Sequence, residues 1–382
     1  MYRHISKGSQ LLVISDTGML MHNGRKYAFG PVVREFEYLL DIFDKIIWIG
    51  YLDENPDTLN IFDEISSARI EIVPLKKIGG KRFIDKLKVI LRYPYMFFSI
   101  YKYIRRSKYI HTRSPSHPAF VSMIFSFFFK RKRFWHKYAG SWIDDAPWFY
   151  RAQRNLLKKL GNNSKVTING NWESKDTILS FENPCLTAKD RILGNTFLKE
   201  KDIKHKINFC FVGALNGQKG VDKILDAFSS FYDERIGEIN VVGDGVKKED
   251  YATKARSLKN KFNFYGFLNK SELIKVYEKS HFLLLPSKSE GFPKVIGEAM
   301  NFCCIPISSN VSCIDQYIEH RKNGFLIEPN TAERLKSIAE VSTSMTNDVF
   351  LGIIKDNYKD SNVFTYDNYV KRIQTEIFEL DQ

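Results

Sequence analysis

Short apolar runs recur along the chain, each bounded by turn residues and most followed by a stretch with helical spacing. Leu11–Ser15, Lys45–Gly50, Ile70–Pro74, Phe209–Gly213, Ile239–Gly243, Phe262–Tyr265 and His281–Pro286 are the clearest. A run apolar at successive positions fits a strand buried on both faces, which requires helices on both sides of its sheet. The alternation therefore predicts an α/β fold built on parallel sheets. At 382 residues, 43% of them hydrophobic, the chain is long enough for two such domains. The turn residues at Glu182-Asn183-Pro184 mark the predicted cut, giving domains 1–183 and 184–361 and a last segment, 362–382, with an amphipathic helix in Phe364–Leu380.

The most informative stretch is Ser289-Glu290-Gly291-Phe292-Pro293-Lys294-Val295-Ile296-Gly297-Glu298-Ala299-Met300, directly after the run His281–Pro286. The run reads as a buried strand and the segment from Pro293 as a helix, with proline in the first turn where a missing N–H costs nothing. A helix start offers unpaired N–H groups and a positive dipole end to an anion. Two carboxylates beside it, Glu290 and Glu298, can accept hydrogen bonds from hydroxyls. Alone, that glutamate spacing is ordinary surface chemistry; the preceding strand, the Gly-Phe-Pro and the Ala-Met give it meaning.

This stretch resembles the donor-site signature of the family 4 retaining glycosyltransferases. Phe209–Leu215, Gln218–Phe228, Val241–Gly245, Phe264–Leu268, Pro306–Ser309 and Asn323–Ile327 resemble further elements of that family in the same order. The likeness is strong over residues 205–330 and weak before them. It implies the GT-B fold, two Rossmann-like domains with parallel sheets facing each other across a cleft, and a last helix crossing back to brace the first domain. It also implies a nucleoside-diphosphate sugar as donor substrate, no cofactor and no metal.

By the same resemblance, Lys219 meets the diphosphate, Glu298 the ribose hydroxyls and Glu290 the donor sugar, with Gly213 and the amides at Gly291, Phe292 and Lys294 around them. Phe267 falls at the nucleobase position and Gly30 in a glycine-rich loop, Ser15–Pro31, facing the diphosphate. Arg113 falls at the end of another strand, facing the cleft, and His136 is the nearest histidine to the one that contacts donor sugars. As cleft carboxylates, Glu290 and Glu298 are expected to be exposed, so that removing either leaves stability nearly unchanged. The chain departs from the pattern at Ala214, where a second cation (Arg) is usual, at Ser141, where Asp is frequent, and at Cys303, in place of glycine.

Between Lys81 and Lys137 stand fifteen Lys and Arg and one acid, Asp85; the difference, +14, equals the formal net charge of the whole chain. Fifteen aromatics share that window. A basic face interleaved with aromatics suits an anionic membrane surface. The longest uncharged apolar run, Pro118–Phe129, is too short to span a bilayer, which takes about 20 residues. No recognition-helix or RNA-binding motif supports nucleic acid as partner. The expected setting is the cytoplasm, at the inner face of the cell membrane, with a lipid-linked saccharide acceptor. Five cysteines are odd in number and lack metal-ligand spacing; Cys210, inside a predicted strand, reads as a small buried hydrophobe. A nucleotide-sugar epimerase of the same architecture and a degenerate partner subunit stay open as alternatives.

Overall fold

A computed structural model of the protein describes residues 8–53, 62–77, 83–173 and 175–378, with the backbone alone over 83–90. Lys81 and Arg82 of the basic window and residues 379–380 of the predicted last helix lie outside the described residues. The chain divides into two compact units, Met1–Glu182 with Tyr366–Gln382, and Asn183–Thr365. The strands are β1 (Gln10–His22), β2 (Arg25–Phe29), β3 (Lys45–Leu52), β4 (Phe62–Glu64), β5 (Ile70–Leu75), β6 (Tyr109–Ser114), β7 (Arg133–Tyr138), β8 (Ser164–Ile168) and β9 (Ile178–Ser180) in the first unit. In the second they are β10 (Ile207–Val212), β11 (Ile236–Val242), β12 (Lys261–Gly266), β13 (Phe282–Leu285), β14 (Ile305–Ser309) and β15 (Phe325–Ile327). The helices are α1 (Gly30–Leu39), α2 (Phe83–Arg106), α3 (His117–Phe128), α4 (Trp148–Leu157), α5 (Ala188–Glu200), α6 (Val221–Ser229), α7 (Lys248–Ala255), α8 (Lys270–Lys279), α9 (Lys294–Asn301), α10 (Ala332–Thr343), α11 (Asn347–Asp360) and α12 (Tyr366–Arg372).

In the first unit β5, β3, β1, β6, β7, β8 and β9 lie side by side, all parallel, in keeping with the apolar runs that open β1 and fill β3. The segment expected to be a glycine-rich loop is instead strand. β1 continues past a register shift between Ile14 and Gly18, then folds back on β2 as an antiparallel hairpin. Asn23 and Gly24, both at positive φ, make its turn; two such residues match the right-handed strand twist. Gly30 accordingly opens α1 and is buried, and a Cβ there would fall 2.4 Å from an Asp63 carboxylate oxygen. It packs against β4 rather than lying in an open phosphate loop.

Val32, Val33, Phe36 and Leu39 form the buried face of α1 and share one core with Trp48 and Trp135. Tyr369 and Val370 of α12 and the following Ile373, Ile377 and Phe378 belong to that same core, and Tyr38 stacks on Tyr366 at 4.3 Å. On α2, Met96, Ile100 and Ile104 recur every four residues and are buried against β1 and β6 partners. The other side leaves Leu91, Tyr95 and Phe98 at 75%, 57% and 67% exposure.

The second unit carries a six-stranded sheet in the order β12-β11-β10-β13-β14-β15, all parallel. Numbered from β10, this is the doubly wound order 3-2-1-4-5-6, whose connections reverse direction between β10 and β13. Phe209 and Phe282, on those two central strands, stack with ring centroids 5.4 Å apart. Reciprocal caps start α5 (Thr187 with Asp190) and α8 (Asn269 with Glu272). All five cysteines are free and buried.

Candidate functional site

Where connections reverse in a doubly wound sheet, the loops after the two central strands splay apart and leave a crevice at their carboxyl ends. In the second unit these are the loop after β10, holding Lys219, and the turn after β13, holding Glu290. The loops are tied together. Gly220 sits at φ 76°, and a Cβ there would come within 2.1 Å of the Pro286 carbonyl oxygen, so only glycine permits the approach. The Lys288 amide donates to Gln218 O at 2.8 Å, and Lys219 Nζ reaches Glu290 Oε1 at 2.5 Å. The side chains are 27% and 9% exposed respectively, so Glu290 is largely buried.

Gly291 and Phe292 lead into α9, whose first residue is Lys294 and whose cap position, Pro293, brings no side-chain hydrogen bond. The Phe292 ring is anchored between Tyr317, at 4.5 Å, and Phe364, at 5.1 Å. That anchoring fixes the backbone from which the helix start is presented. Gly213 follows β10, and its carbonyl packs against Gly243, where a Cβ would stand 1.9 Å from it. Ala214 is exposed, and Phe267, after Gly266, is 60% exposed.

Glu298, in the middle of α9, is held by a different set. Lys270 Nζ donates to Oε1 at 2.8 Å and the Tyr277 hydroxyl to Oε2 at 3.2 Å, with 12% of the glutamate side chain exposed. Asp190 adds a second carboxylate 3.9 Å from Lys270. Burial pulls the Lys270 ammonium down, but the Glu298 and Asp190 charges more than offset it and its pKa is raised. Burial, then the Glu298 charge, pushes the Tyr277 hydroxyl well up. Both glutamates are thus mostly buried members of ion pairs, and the expectation of exposed carboxylates is corrected. Lys270 and Tyr277 carry no sequence signal toward Glu298: their seven-residue spacing shows one helix face, while the partner is a tertiary contact. Lys247 also escaped notice; its Cε lies 4.0 Å from where a Gly217 Cβ would stand, beside the loop that carries Ala214.

The first unit contains the remaining predicted residues. His136, on β7, is fully buried; Nδ1 shares a 2.7 Å hydrogen bond with Thr112 Oγ1, and burial lowers its pKa to about 3. Enclosed in that way it is a neutral core histidine, and contact with a donor sugar is not what this position provides. Arg113 is likewise committed: with Lys137 and the Tyr369 hydroxyl it surrounds Glu35, at 2.9, 3.0 and 2.6 Å from Oε1. Among the described residues no group of three or more His, Cys, Asp or Glu is arranged to hold a metal ion.

Comparison with known proteins follows this geometry. Residues 195–343, all within the second unit, match the family described as Glycosyl transferases group 1. A Haemophilus influenzae protein described as an uncharacterized glycosyltransferase is 30% identical over 173 residues, 43% of this chain and 46% of the relative. An uncharacterized 41.2 kDa protein in the cps region of Klebsiella pneumoniae is 30% identical over 140 residues, 37% of this chain and 38% of its own. The chain thus spans less than half the length of these curated relatives. The solved structure of Anabaena HepE in complex with UDP and glucose aligns with a TM-score of 0.67 at 15% identity, over 97% of this chain and all of that one. The fold, two α/β units on parallel sheets, is that of the GT-B glycosyltransferase structures.

Proposed function

We propose that the protein is a retaining, metal-independent glycosyltransferase that moves a sugar, of the hexose class, from a nucleoside-diphosphate sugar to a saccharide acceptor. The observation that carries this reading is the Lys219–Glu290 pair at the reversal point between β10 and β13, beside the start of α9. As the bond between the anomeric carbon and the diphosphate oxygen breaks, negative charge grows on the diphosphate. Lys219, once it turns from Glu290 to the diphosphate, and the α9 amides then meet that charge from fixed positions, an arrangement that lowers such a barrier. Glu290 faces the positive charge developing at the sugar, and Glu298 accepts from the ribose hydroxyls. The acceptor oxygen forms the new bond on the face the diphosphate leaves, and its proton passes to the departing phosphate.

The relative in a cps region and HepE's bound UDP and glucose make a surface polysaccharide and a uridine donor the first cases to try. Phe128, 76% exposed, lines one concavity with Arg106, Lys108, Lys130 and Arg131, and α2 exposes further aromatics; both support a lipid-linked acceptor met at an anionic membrane surface, on the cytoplasmic side. No helix among the described residues is long and apolar enough to cross a membrane.

Thermal-shift measurements with a panel of nucleoside diphosphates and nucleotide sugars test the reading. Stabilisation by at least one base, lost in Lys219→Met, is expected; no response to any of them overturns it. Incubating the responding sugar nucleotide without acceptor separates transfer from epimerisation, since an epimerase interconverts its substrate alone.

A further inference from the structure

Lys201 stands just past the end of α5 and is 8% exposed, a buried cation whose partners include no carboxylate. Its Nζ donates to Tyr277 O at 2.8 Å, Ser280 O at 2.6 Å and Phe302 O at 2.8 Å, and lies 3.6 Å from Cys304 Sγ. Tyr277 belongs to the last turn of α8 and Ser280 follows it; Phe302 follows α9. The last carbonyls of a helix have no partner within it and carry its negative dipole end. One ammonium, with all three of its donors used, therefore fastens the ends of two helices together. The junction is stiff, because moving either helix end away strands a buried charge.

Those two helices carry the group around Glu298. α9 holds Glu298 itself, and α8 holds Lys270 at its start and Tyr277 near its end. Tyr277 is the link. Its carbonyl accepts from Lys201 and from Cys304 Sγ at 3.3 Å, while its hydroxyl donates to Glu298 Oε2 at 3.2 Å. Its fully buried ring stacks on Phe302, with centroids 5.6 Å apart and planes 19° from parallel. The same helix α5 touches the group at its other end, where the Asp190 carboxylate lies 3.9 Å from Lys270. Lys270 takes one oxygen of Glu298 and Tyr277 the other, so each oxygen keeps a lone pair for a ligand hydroxyl. The directions of those lone pairs follow from how α8 and α9 are set against each other.

We infer that Lys201 is a positioning residue: by fixing the ends of α8 and α9 it aims Glu298, through Tyr277, and so sets the preference for a nucleotide whose ribose keeps its hydroxyls. The inference rests on the reading above in which Glu298 accepts from the ribose.

The test is calorimetric titration of the full chain with UDP, GDP and ADP and with their 2′,3′-dideoxy analogues. Wild-type protein is expected to bind at least one ribonucleotide about tenfold or more tighter than its dideoxy analogue. Lys201→Met should bring that ratio below about threefold by weakening the ribonucleotide, with the dideoxy analogue, held through its diphosphate, changed less than about twofold. Lys201→Arg keeps the charge and several donors and should hold the ratio within about twofold of wild type. A side chain that only stabilises the fold would lower the melting temperature and leave the ratio alone. Coupling between sites is reciprocal, so a second readout needs no variant. The Lys201 amide, which donates to Phe197 O at 2.9 Å, should exchange its hydrogen more slowly with the ribonucleotide bound than with the dideoxy analogue at equal saturation. A ratio unchanged in Lys201→Met overturns the inference and leaves the ribose reading standing. Where that variant does not fold, equal exchange at Lys201 with both ligands does the same. Wild-type protein that binds none of these diphosphates, or binds them without favouring ribose, removes the ribose reading and the inference with it.

Discussion

Lys219 Nζ stands 2.5 Å from Glu290 Oε1, and the two come from loops seventy-one residues apart in the chain. The cation proposed to meet the diphosphate is therefore already neutralised by the carboxylate proposed to meet the sugar. A diphosphate that takes the lysine must compete with that carboxylate, and the pair couples donor arrival to the release of Glu290.

That competition fixes opposite signs for two substitutions. Glu290→Gln should tighten binding of a bare nucleoside diphosphate, because the lysine is freed, while lowering kcat about 100-fold. Lys219→Met should weaken the same binding about tenfold or more, equivalent to about 1.4 kcal/mol. Calorimetric titration beside steady-state kinetics separates the two; weaker diphosphate binding in Glu290→Gln would show that the pair is not competitive.

Replacing Glu298 carries a stability cost that the sequence did not announce. Glu298→Ala leaves the Lys270 ammonium and the Tyr277 hydroxyl short of a partner in a mostly buried place, at a cost of about 1–3 kcal/mol, between exposed and fully buried pairs. Urea denaturation should recover part of that loss when Lys270→Met is added. Additive losses in the double variant would mean the two side chains are energetically independent.

Acid should unfold the protein through its buried histidines. Burial, and for His281 the Lys201 charge as well, lowers His281 to about 4 and His136 to about 3, against an ordinary value of 6.5. Both are neutral when folded, so below pH 6.5 the unfolded chain takes up protons that the folded one refuses. Stability then falls as pH drops from 6.5 towards 4, by about 1.4 kcal/mol per pH unit for each histidine, and nothing is lost above that window. Urea midpoints at pH 7, 6 and 5 report the slope, and His281→Gln should reduce it by one histidine's share; a slope unchanged by that variant would contradict the assignment.

Binding to vesicles should follow the exposed side of α2. Co-sedimentation with anionic phospholipid vesicles is expected at low salt and should weaken as salt rises, each nearby Lys or Arg contributing about 1 kcal/mol. Tyr95→Ser with Phe98→Ser should lower the fraction bound without shifting the melting temperature, since both rings are exposed. Equal binding to neutral vesicles, or none at low salt, would leave the aromatic side without this role.

The fold class was legible because unbroken apolar runs such as Ile46–Gly50 and Phe282–Leu285 carry their burial in their composition. Asn23-Gly24 was equally legible as a hairpin turn, but three glycines in one segment suggested a loop, and the continuing strand was overlooked. His136 stands in a run of bases and aromatics, and only the parallel register of β7 against β6 and β8 shows that it points inward. The motif that names Glu298 says nothing of Lys270 and Tyr277, because a contact between two helices leaves no periodicity in either. Gly220 was readable as a turn residue; that it lets one loop lie on the Pro286 carbonyl needs coordinates.

The Glu35 group takes its phenol from Tyr369, a residue that follows the entire second unit in the chain. During synthesis the first unit therefore emerges with two cations and a carboxylate still waiting for that phenol, and with the α1 face uncovered. It closes only after an intervening body of more than one hundred and eighty residues has been made. An early stop after Thr365 would thus injure the half of the protein farthest from it in sequence.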